Sequence, residues 1–396
     1  MTPTGMGAGS FRTPASPARL NDLPPYPLQD VPEVKARLIS EGRVVIDLGA
    51  GDSRLPVPEV AVEALREAAG DPALQGYGFQ RGLPEYREAV AGWMKRRFGE
   101  PVDPWTEVLP VIGTKEAIAL AALALLDRED TVLIPDPGYA PYFGGAFFAG
   151  ARIELVALRP ENRFLVPPER IRDAPGRLKL VYLNYPNNPT SAVADRAYLE
   201  EVVTACAERD ACLVYDNAYS EITFDGYRAP GLLEVPGGRE IGLEFHSFSK
   251  TYNMTGWRLG WVSGNARLIA DLRRVKTFFD TGSYLGIQAA GAAVLADADT
   301  LIQRTVTALR DRRDAAVRAF RGAGFELDAP LATLYLWLTV PGGDSVSWCR
   351  ELLEREALVL MPGAALGSAG EGFARVSLTV APERYAEVAA RLKATA

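Results

Sequence analysis

The sequence predicts an α/β fold in which a large, mostly parallel sheet flanked by helices is followed by a smaller α+β unit. Three observations carry this. Between residues 105 and 262, short apolar runs, turn residues and helical periods alternate repeatedly, as in strands joined by crossover helices. The runs are continuous instead of alternating, which suits strands covered on both faces. After Gly282 the pattern changes to a long amphipathic stretch followed by further strands and helices. With 396 residues and 48% hydrophobic content the chain exceeds a usual single domain, so one large and one smaller domain are expected.

Taken in order, residues 1 to about 17 are rich in Pro, Gly and Ser, lack the apolar core of a secretory signal, and read as a disordered extension. The strands are "VLPVI" (108–112), "TVLIP" (131–135), "LKLVYLN" (178–184), "CLVYD" (212–216) and "LEFHSF" (243–248). Between them, "KEAIALAALALL" (115–126) is apolar all round and predicts a buried helix, whereas Leu199, Val202, Val203 and Cys206 form a one-sided stripe. One amphipathic helix is expected over roughly 285–321, with Ile302, Val306, Leu309, Val317 and Phe320 inward. "LYLWLTV" (334–340), a helix near 345–356, "LVLMPG" (358–363), the strand "FARVSLTV" (373–380) and a last helix with Tyr385, Val388, Ala389 and Leu392 in register complete the smaller unit. Alternation in "FARVSLTV" sets Arg375 on the face opposite Ala374, Val376 and Leu378.

Composition narrows the partners. A formal net charge of −7 with scattered Lys and Arg argues against nucleic acid or an anionic membrane, and no apolar run reaches the ~20 residues of a membrane span. Cys206, Cys212 and Cys349 are odd in number and lack metal-ligand spacing, so they read as buried thiols in a reducing cytoplasm, without a metal site. A small polar metabolite is the expected partner.

In doubly wound sheets ligands bind beyond the carboxyl ends of the strands, so the residues after each run matter most. Gly113, Thr114 and Lys115 open the buried helix, whose free N–H groups and dipole favour a phosphate. Alone, this is an ordinary helix start. Ser247, Ser249 and Arg258 add hydroxyls and a forked cation suited to the same dianion, while no Walker or dinucleotide glycine pattern is present. Asp216 ends a strongly apolar strand, where a carboxylate needs a cation. Lys250 alone would read as a solvated surface lysine. Together with Asn188 for a ring oxygen and Tyr139 to stack on a ring, these residues describe pyridoxal phosphate held as a Schiff base.

At these positions the chain resembles the fold-type I, class I/II pyridoxal phosphate-dependent aminotransferases. "SFSKTYNMTGWRLG", "YPNNPT", "VYDNAYSEI" and "FARVSL" resemble four family motifs in the family's order, and the resemblance covers about residues 18–393. It implies an α/β, fold-type I transferase with a mostly parallel seven-stranded sheet: residues 18–56 joining a small domain, 57–284 forming the large cofactor-binding domain and 285–396 the C-terminal small domain. It implies Lys250 as the Schiff-base lysine, Asp216 as partner of the pyridinium nitrogen, and Asn188 and Tyr219 on the ring oxygen, with Tyr139 stacked on the ring. Thr114, Lys115, Ser247, Ser249 and Arg258 would surround the phosphate, and Gly51 in "LGAGDS", Asn188 and Arg375 would receive the substrate. Tyr77 in "GYGFQRGLPEYREA" is similar to the tyrosine that reaches a neighbouring subunit's phosphate, which implies a homodimer with shared active sites. Ser191 stands where the family commonly has Gly, which bears on the turn there. His246 reads as a buried strand residue, structural before catalytic.

The implied reaction moves an amino group from an L-amino acid to a 2-oxo acid, with 2-oxoglutarate the expected acceptor. "GTKEAIA", "DNAYSEITFDGYRAP", "EFHSFSKTYNMTGWR" and "KTFFDTGSYLGIQ" are most similar to diaminopimelate-type aminotransferases of lysine biosynthesis, acting on LL-diaminopimelate or its N-succinyl form. Lys115, Arg81 and Arg54 are candidates for a distal carboxylate. Aspartate, alanine and aromatic aminotransferases share the framework, and a pyridoxal phosphate β-lyase (C–S lyase) would use the same lysine and aspartate. A cofactor-binding regulator would need a DNA-binding module, for which the N-terminal extension is too short and not basic enough.

Overall fold

The computed structural model describes residues 15–23 and 30–393, so the reading of residues 1–14 as an extension lies outside the described residues. A short strand, β1 (Ile46–Asp47), precedes the large sheet. That sheet holds β2 (Val108–Val111), β3 (Asp130–Asp136), β4 (Arg152–Ala157), β5 (Arg177–Leu183), β6 (Cys212–Asp216), β7 (Gly242–Ser247) and β8 (Gly260–Gly264). Their order is β2-β8-β7-β6-β5-β3-β4. Only β8 runs against its neighbours, so it begins at the edge where the other six strands end.

The five strands singled out in the sequence all lie in this sheet, with bounds within a residue or two. β4 and β8 carried weaker signals. β4 is an edge strand with Arg152 and Glu154 interrupting its apolar residues, and β8 is a five-residue strand bracketed by glycines. Side-chain alternation divides the central strands between two cores. Leu133, Val181, Leu183, Leu213 and Tyr215 pack with Leu199, Val202, Val203 and Cys206 of the helix Arg196–Glu208. Val132, Ile134, Leu180, Tyr182 and Val214 pack on the other face against Ala117, Ile118 and Ala121 of the helix Thr114–Leu125.

The smaller unit is built on β9 (Tyr335–Thr339), β10 (Leu358–Val359), β11 (Met361–Pro362) and β12 (Phe373–Ser377). β12 is antiparallel to both β11 and β9. "LVLMPG" is thus two short strands: β10 pairs in parallel with β1, binding the N-terminal segment to the C-terminal unit, and β11 pairs with β12.

One expectation is corrected. The single helix predicted over 285–321 is two helices, Leu285–Ala296 and Ala298–Gly322, bent by 82° where Asp297 leaves helical geometry at φ −113° and ψ 27°. The pieces answer to different neighbours. The first is apolar and packs on the helices Glu59–Gly70 and Pro84–Phe98, while the second lays Leu309, Val317 and Phe320 on the core beside β9 and β12. Apolar residues recur on both sides of the bend, which is why periodicity alone joined the two across Asp297 and Asp299. Among the described residues no single helix is long and apolar enough to cross a membrane.

Candidate active site

At the carboxyl edge of the large sheet lies a cavity of about 600 Å³. Thr114 and Lys115 enter it after β2, Tyr139 after β3, Asn188 after β5, Asp216 and Tyr219 from the end of β6, and Ser247, Ser249 and Lys250 from the end of β7. Arg258 arrives just before β8, the strand that starts at this edge, and Gly51 and Arg375 enter from the smaller unit's side. Every catalytic, cofactor-binding and substrate-binding residue expected from the resemblance lines this cavity except Tyr77. That tyrosine stands on the surface, 75% exposed, its ring centroid 5.7 Å from that of Phe79.

One corner is built for an anion. No side chain caps the helix Thr114–Leu125 at its start, so its first N–H groups are left for a ligand. Gly113 precedes it at φ +77°, and a Cβ there would lie 2.5 Å from the Arg258 guanidinium. Glycine therefore lets Arg258 close on the helix end. Arg258 itself is left-handed (φ 54°) and donates to the Thr255 carbonyl at 2.9 Å, with Nη1 3.5 Å from Ser249 Oγ. The Ser247 hydroxyl accepts from the Ser249 N–H at 3.1 Å, which turns the chain at the end of β7 so that Lys250 follows on a short helix.

A second corner is built for a cation. Asp216 is buried; its Oδ2 accepts from Tyr142 Oη at 2.8 Å, and its Oδ1 has no hydrogen-bond partner. Burial pushes its carboxyl up to about 6, against the opposing pull of Tyr142 and the Ala218 N–H. A buried carboxylate oxygen without a partner lining a cavity fits the protonated nitrogen of a pyridinium ring, and the uncapped helix end with Arg258 fits a phosphate. The residues present therefore suit pyridoxal phosphate. Asn184 holds the two neighbouring loops in register: its side chain donates to the Asp216 carbonyl and accepts from the Asn188 N–H, each at 2.7 Å.

The third corner carries Arg375, 5% exposed. It donates to Asn188 Oδ1 and to the Gly49 carbonyl, each at 2.9 Å, and its guanidinium lies 4.4 Å over the Tyr335 ring. Its Nε is buried without a partner. The Tyr335 hydroxyl shares a 2.9 Å hydrogen bond with that of Tyr219, and Lys250 Nζ donates to the Gly51 carbonyl.

Sequence reasoning missed Tyr335, Asn184 and Tyr142. Asn184 closed a quoted strand run, and Tyr142 lies three residues beyond Tyr139 in the first turn of the helix Ala140–Ala149, so both had a positional signal. Tyr335 reads as a core strand residue. Of the candidate distal cations, Lys115 lines the cavity, whereas Arg54 faces Asp47 and Asp52, at 3.6 and 3.7 Å, and Arg81 borders a separate surface depression. Ser191 takes the left-handed turn (φ 60°) that glycine would, and its hydroxyl bonds to Thr333 Oγ1 and the Tyr335 carbonyl at 2.7 and 2.9 Å. His246 is buried, stacked on Trp261 and bonded to Glu244.

The family model for aminotransferase class I and II matches residues 43–392. The chain belongs to this family. It is 42% identical over 381 residues to the LL-diaminopimelate aminotransferase of Desulforudis audaxviator, covering 95% of this chain and 96% of that protein. Its fold matches that of substrate-bound BacF from Bacillus subtilis with a TM-score of 0.90 at 31% identity, covering 97% of this chain and 98% of that one. It also matches a probable N-succinyldiaminopimelate aminotransferase from Thermus thermophilus, with a TM-score of 0.86 at 35% identity over 92% of this chain and 99% of that one. The protein is thus a pyridoxal phosphate-dependent aminotransferase of fold-type I, moving an amino group from an L-amino acid to a 2-oxo acid.

Proposed function

We propose that this aminotransferase takes its amino group from LL-diaminopimelate and passes it to 2-oxoglutarate, in lysine biosynthesis. One observation narrows the donor to an amino acid with a second carboxylate, and the likeness to known enzymes chooses among these. Lys115 lines the same cavity as Arg375 and, among the described residues, has no side-chain hydrogen bond or ion pair. A donor with a carboxylate at each end engages both cations, whereas alanine or an aromatic amino acid engages one. The 42% identity to an LL-diaminopimelate aminotransferase supports the same choice.

In this reading Arg375, steadied by Asn188 and the Gly49 carbonyl, binds the α-carboxylate, with Gly51 forming the wall beside it. Lys250 would take the proton from the donor's α-carbon, and the Gly51 carbonyl, which accepts from its amine, holds that amine in the cavity. Bound pyridoxal phosphate supplies the sink for the electron pair left behind. Asp216 would hold a proton on the ring nitrogen, Asn188 and Tyr219 would serve the ring oxygen, Tyr139 would cover the ring, and Thr114, Ser247, Ser249 and Arg258 would hold the phosphate.

The working unit in this reading is a homodimer in which Tyr77 reaches the other subunit's phosphate. In support, Tyr77, Phe79, Phe278 and Phe279 are exposed on two loops packed together, with Gly282 against the Phe79 backbone. A cytoplasmic location is supported by three buried, unpaired thiols.

The test is a half-reaction screen: the loaded enzyme is mixed with single amino acids and loss of its yellow absorbance is followed. LL-diaminopimelate should react far faster than alanine, aspartate or an aromatic amino acid, and faster than its N-succinyl form. Equal rates with alanine would remove the substrate assignment. Pyruvate release from cystathionine without any 2-oxo acid would identify a β-lyase instead.

A further inference from the structure

Three charges meet behind the anion corner, Lys276 buried and Glu116 and Asp280 partly buried, and none of them lines the cavity. Glu116 is the third residue of the helix Thr114–Leu125. It reaches back so that its Oε2 accepts the Ile112 N–H at 2.8 Å, placing a carboxylate at the helix end that faces the cavity. Lys276, 1% exposed at the end of the helix Ala266–Lys276, pairs with Glu116 and, at 2.7 Å, with Asp280. Asp280 is tied in turn by the Gly282 N–H at 2.6 Å, and its carbonyl accepts from Gln80 Nε2 at 2.7 Å.

Such a cluster is a poor device for stability, because burying a lysine among carboxylates costs about what their attraction returns. Its position suggests another use. A carboxylate at a helix N-terminus is favourable in itself, yet here it competes with a phosphate dianion for the same positive end. Left uncompensated in this partly buried place, it would repel that dianion.

We propose that Lys276 is a positioning residue for the cofactor: it neutralises Glu116 and holds it against the Ile112 N–H, so that the helix end turns toward the cavity with its positive potential intact. The effect is specific to the phosphate. The ring and aldehyde contacts in that reading come from the ends of β3, β5, β6 and β7 and do not pass through this cluster.

The inference rests on the cofactor reading above, and its test separates the two. Dissociation constants of pyridoxal phosphate and of pyridoxal, which lacks the phosphate, are measured by absorbance titration of the cofactor-free full-length chain. Four proteins are compared: the parent, Lys276→Met, Glu116→Gln, and the double variant. Lys276→Met should weaken pyridoxal phosphate by about tenfold and pyridoxal by less than about twofold. The double variant should return to within about threefold of the parent. Glu116→Gln alone, which keeps an acceptor for the Ile112 N–H, should bind pyridoxal phosphate as tightly as the parent or more tightly, and it stands as the test if Lys276→Met does not fold. Equal weakening of both ligands by Lys276→Met, no weakening, a double variant as weak as Lys276→Met, or looser phosphate binding by Glu116→Gln would each overturn the proposal. A parent that binds no pyridoxal phosphate would instead overturn the cofactor reading.

Discussion

The two walls of the cavity are built in opposite ways. The cofactor wall takes its residues from strand ends: Asp216 closes β6, Ser247 closes β7 with Lys250 just beyond, and each is set by the run that precedes it. The substrate wall is assembled across the chain. Arg375 donates to the Gly49 carbonyl 326 residues away, and Tyr335 meets Tyr219 across 116. A locally built wall is rigid and serves a ligand that stays, whereas a wall made from distant segments can vary with the substrate. Substitutions should therefore separate cleanly, with cofactor-wall changes altering cofactor affinity and chemistry, and substrate-wall changes altering KM.

The largest effect should come from Lys250→Ala, which removes the amine proposed to move the proton. Turnover should fall by at least about 10³-fold, measured with LL-diaminopimelate and 2-oxoglutarate, while the chain stays folded. Normal turnover in this variant would place the proton transfer elsewhere and break the comparison at its centre.

Asp216→Asn comes next and carries a pH signature. In the cofactor-free chain burial holds this carboxyl at about 6, above its ordinary 3.8. Between those values the folded state binds the extra proton, so its contribution lowers stability as pH rises from about 4 to about 6 and leaves it low above that. Asparagine removes the penalty. Without cofactor, the variant should be more stable than the parent by about 2–3 kcal/mol at pH 8, with the gap closing near pH 4 in urea unfolding. With cofactor the order should reverse in activity, turnover falling roughly 10²-fold. A parent as stable as the variant at pH 8 would mean that the carboxylate already has a partner.

The contrast also explains what the sequence allowed to be read. Strand ends were legible because continuous apolar runs such as "CLVYD" mark both the strand and the residue that leaves it. The seven-stranded sheet came from the resemblance, since β4 is an edge strand with charged residues among its apolar ones and β8 is a five-residue strand bracketed by glycines. The bend at Asp297 was missed although a local signal exists: Asp297 is a residue type favoured at helix starts and takes the N-cap position of the second helix, and the two halves then diverge because their partners differ. Tyr335 had no such signal. It is one apolar-flanked residue in a strand, and only the pairing of β9 with β12 brings its ring beneath Arg375.

Arg375→Lys tests the substrate wall directly. Lysine keeps the charge and loses the fork that engages Asn188, Gly49 and a carboxylate together. The value of kcat/KM for the donor should fall by about 10- to 100-fold, mainly through KM, while the dissociation constant for pyridoxal phosphate stays within about twofold. A matching loss of cofactor affinity would show that the two walls are not independent.

The smallest effect should come from the strap that joins the walls. Asp136, at the end of β3, accepts from Ser368 Oγ at 2.6 Å and from the Ala369 N–H at 3.1 Å, and the Gly138 N–H donates to the Leu366 carbonyl at 2.9 Å. These bonds hold Ala365 and Leu366 against the cavity. Ser368→Ala removes one of the three, a bond to a charged acceptor in a partly buried place, and leaves the Ala369 N–H and the Leu366 carbonyl engaged. KM for the donor should rise by about three- to tenfold with kcat nearly unchanged, measured by steady-state kinetics at saturating 2-oxoglutarate. Cofactor affinity decides what the strap belongs to. If it is unchanged, the strap is part of the substrate wall, although its anchor lies on a cofactor-wall strand; if it falls with KM, Asp136 transmits between the walls and the division between them is a matter of degree.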